Sequence, residues 1–108
     1  MSAVAVDAAV AALPAGDGRV EVTGDGELAA ALRSRLGSRA ARGPDAPQAA
    51  IDTTGDVATI ADTLARLADL GTLVLAGPPP AAPVALDLYA DVHVRGLTIV
   101  GVAPTGAA

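Results

Sequence analysis

A glycine-containing turn after a short β-branched segment carries the residue types that phosphate binding needs. Its motif, GDGELA, fits the pattern G-x-G-x-x-G/A between a predicted strand and a predicted helix. Gly24 and Gly26 would let the turn tighten and a phosphate approach the backbone, and Ala29 would let the helix lie close to the sheet. The carboxylates of Asp25 and Glu27 stand where a pyrophosphate would lie, and their charge opposes it. The motif therefore predicts a phosphate turn of reduced affinity.

Four further side chains are candidates for acid-base chemistry. Histidine is the side chain most often used for proton transfer, so His93 could act as an acid or a base, or it could be a surface residue favoured at the end of a helix. Asp52 and Asp56 flank a Thr-Thr-Gly turn at the end of a predicted strand, where open α/β sheets bind ligands. The alternative is one strand-end carboxylate and one helix N-cap. Tyr89 is either a proton donor or a half-buried helix residue.

The segment from Ser38 to Gln48 has two prolines, one glycine and no apolar periodicity, which predicts an irregular loop. Asp45 lies about 20 residues after the glycine motif, the spacing of a ribose-binding acid, but no strand precedes it. It is either that acid or a loop aspartate. Arg39 and Arg42 would contact either an anionic ligand or solvent.

The composition excludes several classes of protein. The 108 residues include no Cys and one His, which excludes a thiolate or His-rich metal site, so we expect no zinc. A net charge of −5 and the near absence of aromatic residues argue against nucleic acid as a partner. No apolar run is long enough to span a bilayer, and the first residues lack the basic start of a signal peptide. We expect a soluble, cytoplasmic protein that does not bind membranes.

The order of apolar segments predicts an α/β fold with a small open parallel sheet of about four strands and helices on both faces. The strands are expected at 19–23, 49–53, 72–76 and 97–102, with helices at 7–13, 27–36, 57–70 and 86–96. We interpret residues 1–108 as a single domain, with a helix and turn at 1–18, the irregular loop at 38–48 and a frayed tail at 103–108.

Apolar spacing indicates which side of two helices faces the sheet. Leu88 and Val92 are expected to point inward from the last helix. The central helix is expected to place one continuous ridge on the sheet, formed by Val57, Ile60, Leu64, Leu67 and Leu70.

Three stretches together resemble the cofactor-binding Rossmann domain of the medium-chain, zinc-type alcohol dehydrogenase superfamily. They are RVEVTGDGELAAALRSRLG, AIDTTGDVATIADTLARLADLGTLVLAG and DLYADVHVRGLTIVGV, and the resemblance runs from about Val20 to Pro104. The catalytic zinc domain of that family has no counterpart here, nor have the second and third strands of its sheet. A strand order of 3-2-1-4-5-6 would thus be truncated to 1-4-5-6.

The resemblance implies a cofactor site at the strand ends, with NAD(P) as the cofactor. Its residues would be Gly24, Gly26 and Ala29 in the phosphate turn, Thr54 and Gly55 beside the cofactor, and Gly77 near the nicotinamide. Asp25 and Glu27 weaken that site, and so does the missing ribose-binding strand.

The resemblance also implies a homodimer through the edge strand Leu97–Val102, and the exposed edge at 19–23 offers a place for a partner enzyme. We expect an accessory, ligand-binding or interaction protein without zinc-dependent redox activity. It would act in a metabolic pathway, and a specialised biosynthetic pathway is one option. The alternative is a small enzyme with a pocket around Thr54, Gly77 and His93. Such an enzyme would bind a nucleotide or metabolite and perform acid-base or NAD(P)-assisted chemistry, alone or with a partner subunit.

Overall fold

The computed structural model describes residues 3–103, so the expected tail beyond Ala103 lies outside the described residues. The helices are α1 (Ala3–Ala11), α2 (Glu27–Leu36) and α3 (Val57–Arg66), with a 3₁₀ turn at Gly37–Ala40 and a π-helical segment at Leu88–His93. The strands are β1 (Val20–Thr23), β2 (Ala49–Asp52), β3 (Thr72–Leu75) and β4 (Thr98–Gly101).

The four strands form one parallel sheet in the order β1-β2-β3-β4. Val20 is paired with Ala49, Ala49 with Thr72, and Thr72 with Thr98, so the amino ends of all the strands lie together at one end of the sheet. The predicted α/β class with a four-stranded parallel sheet is therefore confirmed. The carboxyl ends of the strands lie together at the opposite end of the sheet, where the sequence predicts the phosphate turn and the candidate acid-base residues Asp52 and Asp56.

Alternate residues of a strand point to opposite faces of the sheet, so the sheet contributes to one core on each face. Val20, Val22 and Val74 belong to a core shared with α1 and α2. Ala50 and Leu73 belong to a second core, with Ile60 and Leu64 of α3. The two cores fix the positions of the turns after β1 and β2, since each of these turns joins a buried strand to a helix packed against the sheet.

The predicted ridge of the central helix is too long by one turn. The helix ends at Arg66, and Leu67 is already extended with φ −62° and ψ 148°. Leu70 adopts φ 65°, in the left-handed region, to turn the chain into β3, and its side chain is 76% exposed. The ridge therefore stops at Leu67, and the inward position predicted for Leu70 is wrong.

The segment predicted as a helix at 86–96 is shorter and winds differently. Asp87 caps it through the N–H groups of Tyr89 and Ala90, and the N–H of Val94 reaches five residues back to the carbonyl of Tyr89. This π winding breaks the spacing of four residues that would place Leu88 above Val92. Val92 is half-buried, but Leu88 is 70% exposed, so the inward position predicted for Leu88 is wrong, and Tyr89 is also exposed.

The two edges of the sheet differ in how their backbone groups are engaged. At β1, the carbonyls of Val22 and Gly24 face away from β2, and both accept a hydrogen bond from Arg33 Nη2 at 2.6 Å. The segment after α2, whose first residues form the 3₁₀ turn, also bonds to the chain leading into this edge, through Arg39 and the carbonyl of Gly18. Arg33 and this segment therefore occupy part of the β1 edge.

No helix in the described range 3–103 is long and apolar enough to cross a membrane.

Candidate functional site

Asp52 is the centre of a polar cluster at the carboxyl ends of β1 and β2. Its side chain is 1% exposed and accepts three hydrogen bonds. The hydroxyls of Thr23 and Thr54 each donate to Oδ1 at 2.7 Å, and the N–H of Gly55 donates to Oδ2 at 3.0 Å. A buried carboxylate needs such donors, because burial removes its water. Asp52 thus ties the end of β1 to the turn after β2.

The turn after β2 has further bonds that fix its path. The Thr53 hydroxyl donates to the carbonyl of Thr23 at 2.6 Å, and the Thr54 hydroxyl accepts from the N–H of Asp56 at 3.0 Å. Asp56 then caps α3, accepting the N–H of Thr59 at 2.9 Å and the Thr59 hydroxyl at 2.7 Å. The predicted N-cap role of Asp56 is confirmed, and the same bonds hold the pKa of its carboxyl below its ordinary value.

Three of the glycines that the resemblance assigns to a cofactor lie where turns of the chain contact one another. Gly24 has φ 97°, and a Cβ there would meet the Thr53 hydroxyl. Gly55 has φ 62°, and a Cβ there would meet the carbonyl oxygen of Pro78. At Gly77 a Cβ would lie 2.6 Å from the carbonyl carbon of Thr53. The fold itself therefore requires glycine at these positions, whether or not a ligand binds.

The other two residues of the phosphate motif differ from each other. Ala29 is fully buried against the sheet, where its small side chain lets α2 lie close. Gly26 precedes α2 with φ −84°, and a Cβ there would have nothing within 4 Å. Asp25 and Glu27 are exposed beside it. The turn therefore has space in front of α2 and acidic side chains around that space.

An apolar groove of about 510 Å³ opens beside the Asp52 cluster, between α3 and β4. Gly55, Gly77 and Asp52 lie at its polar end. Its walls are the side of α3 that faces the sheet, the β3 and β4 residues on that face, and the segment from Pro78 to Leu86; they include Ile60, Leu64, Leu75, Pro79, Leu86 and Ile99. The groove is therefore an apolar concavity with a polar end at the carboxyl ends of the strands.

His93 and Tyr89 lie away from this groove, and neither lines it. Their rings contact each other edge to face, with centroids 5.4 Å apart. The residues after His93 lead into the amino end of β4, where Leu70 donates its N–H to the carbonyl of Arg95. Within residues 3–103 the groove at Gly77 does not include Thr54 or His93, and the histidine lies near the amino end of β4.

Sequence reasoning missed two components of the site. The sequence identifies Thr23 only as part of a strand. In the structure its hydroxyl donates a hydrogen bond to Asp52, which lies 29 positions later in the sequence. The sequence assigns no function to the prolines after Gly77, whereas in the structure Pro78–Pro80 form a wall of the groove. A threonine at the end of one parallel strand beside an aspartate at the end of the next was the available signal for the first.

Within residues 3–103, no group of three or more His, Asp or Glu side chains is placed to hold a metal ion. Comparison with protein-family models finds no match to this chain, and comparison with curated proteins finds none either.

Proposed function

We propose that this chain is a Rossmann-like module of dehydrogenase type without zinc-dependent redox activity, and that it binds a small apolar molecule. The observation that supports this most strongly is the apolar groove beside Asp52, whose volume of about 510 Å³ suits one small ligand. Small-molecule sites are commonly apolar concavities of about 300–1,000 Å³ with a few polar groups at one end. The groove also lies at the carboxyl ends of parallel strands, the usual ligand edge of such sheets.

The engagement of the nearby polar groups supports binding over catalysis. Both oxygens of Asp52 accept hydrogen bonds from the protein, and the Asp56 carboxylate is occupied by Thr59. The ligand would therefore contact mainly the aliphatic walls. An accessory protein of a metabolic pathway that carries or presents an apolar compound would need no more than this.

At Gly101 a larger side chain would fill the groove without disturbing the core. Gly101 is paired with Leu75 and lies on the same face of the sheet, so a side chain at 101 would enter the groove. A Cβ at Gly101 meets nothing within 4 Å. We expect Gly101→Phe to abolish binding of the neutral fluorescent probe N-phenyl-1-naphthylamine. Thr98→Phe, which adds the same ring to the opposite face of β4, is the matched control and should keep the binding of the starting protein.

Two results would contradict this proposal. One is the absence of probe binding in the starting protein, and the other is equal binding in both phenylalanine variants. NADH, titrated in the same fluorescence assay, tests the enzyme alternative. A micromolar dissociation constant for NADH that is unaffected by Gly101→Phe would favour a nucleotide site at the Gly24 turn.

The outer edge of β4, whose residues Ile99 and Gly101 have no backbone partner on that side within residues 3–103, supports a second candidate function, self-association. Thr98 and Val102 donate their N–H groups toward β3, so the backbone groups of Ile99 and Gly101 point away from the sheet. The β4 sequence, TIVG, contains no charged residue or proline to block pairing. A second copy pairing antiparallel along β4 would extend the sheet to eight strands.

Light scattering at micromolar concentration tests this candidate. We expect the mass of a dimer, and we expect Ile99→Pro to give a monomer, because proline lacks the outward N–H while the bonds toward β3 come from the neighbouring residues. A monomeric mass for the starting protein over the whole concentration range would refute it.

A further inference from the structure

The seven arginines of this chain divide into two groups. Arg35, Arg66 and Arg95 each form an ion pair with a carboxylate. The other four, in the part of the chain that the structure describes, form no such pair; they are Arg19, Arg33, Arg39 and Arg42. All four lie between residue 19, directly before β1, and the loop before β2, whereas the chain as a whole has a net charge of −5.

Three of these unpaired arginines line one polar cleft of about 660 Å³. The cleft lies between the outer edge of β1 and the loop at residues 40–47. Its charged lining consists of Arg19, Arg33, Arg42 and Arg66 against Glu21 and Asp45, which gives four positive and two negative charges. Glu21 is already paired with Arg66, so Asp45 is the remaining negative group that faces the unpaired arginines.

The guanidinium groups are held in place and still have hydrogen atoms to donate. Arg33 uses Nη2 for the carbonyls of Val22 and Gly24, and Arg19 uses Nη2 for the backbone carbonyl of Asp45. Each guanidinium has five N–H donors, so most of them remain available. Arg42 is exposed at the cleft and has no hydrogen-bond or ion-pair partner in the described residues. Two anchored guanidinium groups and one unengaged one thus face the same space.

We propose that this cleft binds a small molecule carrying a phosphate or pyrophosphate group. The planar fork of arginine matches phosphate oxygens in pairs, and anchored side chains lose little conformational freedom on binding. The site is separate from the apolar groove, since the two share no lining residue. It also differs from the glycine turn in its charge, because acidic side chains surround that turn.

Inorganic pyrophosphate, titrated at low salt and followed by amide shifts of Gly43 and Ala46 in NMR spectra, tests the proposal. Arg42 is the cation to remove, because Arg19 and Arg33 also support the backbone. We expect Arg42→Gln to weaken binding roughly tenfold, as the loss of one charge-assisted contact does. Asp45→Asn should strengthen binding by a few-fold, because it removes the opposing charge.

Arg35→Gln is the matched control, because it changes the net charge equally at an exposed arginine outside the cleft. It should leave the pyrophosphate affinity within about twofold of the starting value, as screened distant charges do. Equal weakening in both arginine variants would overturn the proposal, because it would indicate only a response to net charge. Absence of binding at millimolar pyrophosphate would overturn it as well. Citrate binding as tightly as pyrophosphate would overturn the assignment to phosphate chemistry.

Discussion

Replacing Asp52 by alanine should destabilise the fold severely, because the carboxylate is the shared acceptor of three donors. The change would leave the hydroxyl of Thr23, a residue that is 9% exposed, without its partner, whereas the donors of Thr54 and Gly55 are half-buried and can bond to water. An orphaned buried donor costs about 1–3 kcal/mol. One such donor, together with about 0.5–1.5 kcal/mol for each of the two half-buried hydrogen bonds, gives an expected loss of about 2–6 kcal/mol in the free energy of unfolding. That loss is a large part of the roughly 5–15 kcal/mol that stabilises a typical domain.

Urea unfolding at neutral pH, followed by far-ultraviolet circular dichroism, measures this loss. Asp52→Asn keeps the shape and one acceptor oxygen, so it should cost about 1–2 kcal/mol, the scale of one charged hydrogen bond. Asp69→Ala is the control for charge, because that side chain is 78% exposed and its pair with Arg95 spans 3.4 Å. Its effect should stay within about 0.5 kcal/mol. A loss below about 1 kcal/mol for Asp52→Ala would refute the structural role of this carboxylate.

Two further predictions concern the turns beside Asp52. Gly77→Ala should cost about 1–3 kcal/mol of unfolding free energy, since its Cβ would lie 2.6 Å from the Thr53 backbone, whereas Gly101→Ala should be neutral or slightly stabilising in the same urea titration. Equal effects would contradict the packing of the turns. Because folding lowers the pKa of the Asp56 carboxyl, this group stabilises the fold at pH values above the ordinary pKa of aspartate. The contribution is lost as the pH falls through the lowered pKa of the folded state. Thermal melts should therefore show the difference between the starting protein and Asp56→Ala shrinking from pH 7 to about pH 3; a constant difference would contradict the cap assignment.

The local chemistry of the sequence was enough to predict most of the architecture. Short apolar runs between turn residues located the four strands to within one position at each end, because the residues of a buried strand must be apolar. Asp56 was identified as a cap from the residues that follow it, since a cap bonds within its own first turn. Gly37 and Gly96 follow helical segments with φ 58° and 64°, in the left-handed region that favours glycine, so residue type also indicates these helix ends.

Contacts between segments that are far apart in the sequence determine the site, and the spacing of residues along the chain does not predict such contacts. The partner of Asp52 at Thr23 depends on β1 and β2 being neighbours in register. The exposure of Leu70 follows from how the chain must turn to enter β3, and a period of 3.6 residues does not contain that requirement. The arginine cleft arises because the loop at 40–47 lies along β1. Helices and strands are set by interactions within a few residues, whereas a binding surface is set by which elements the tertiary structure places together.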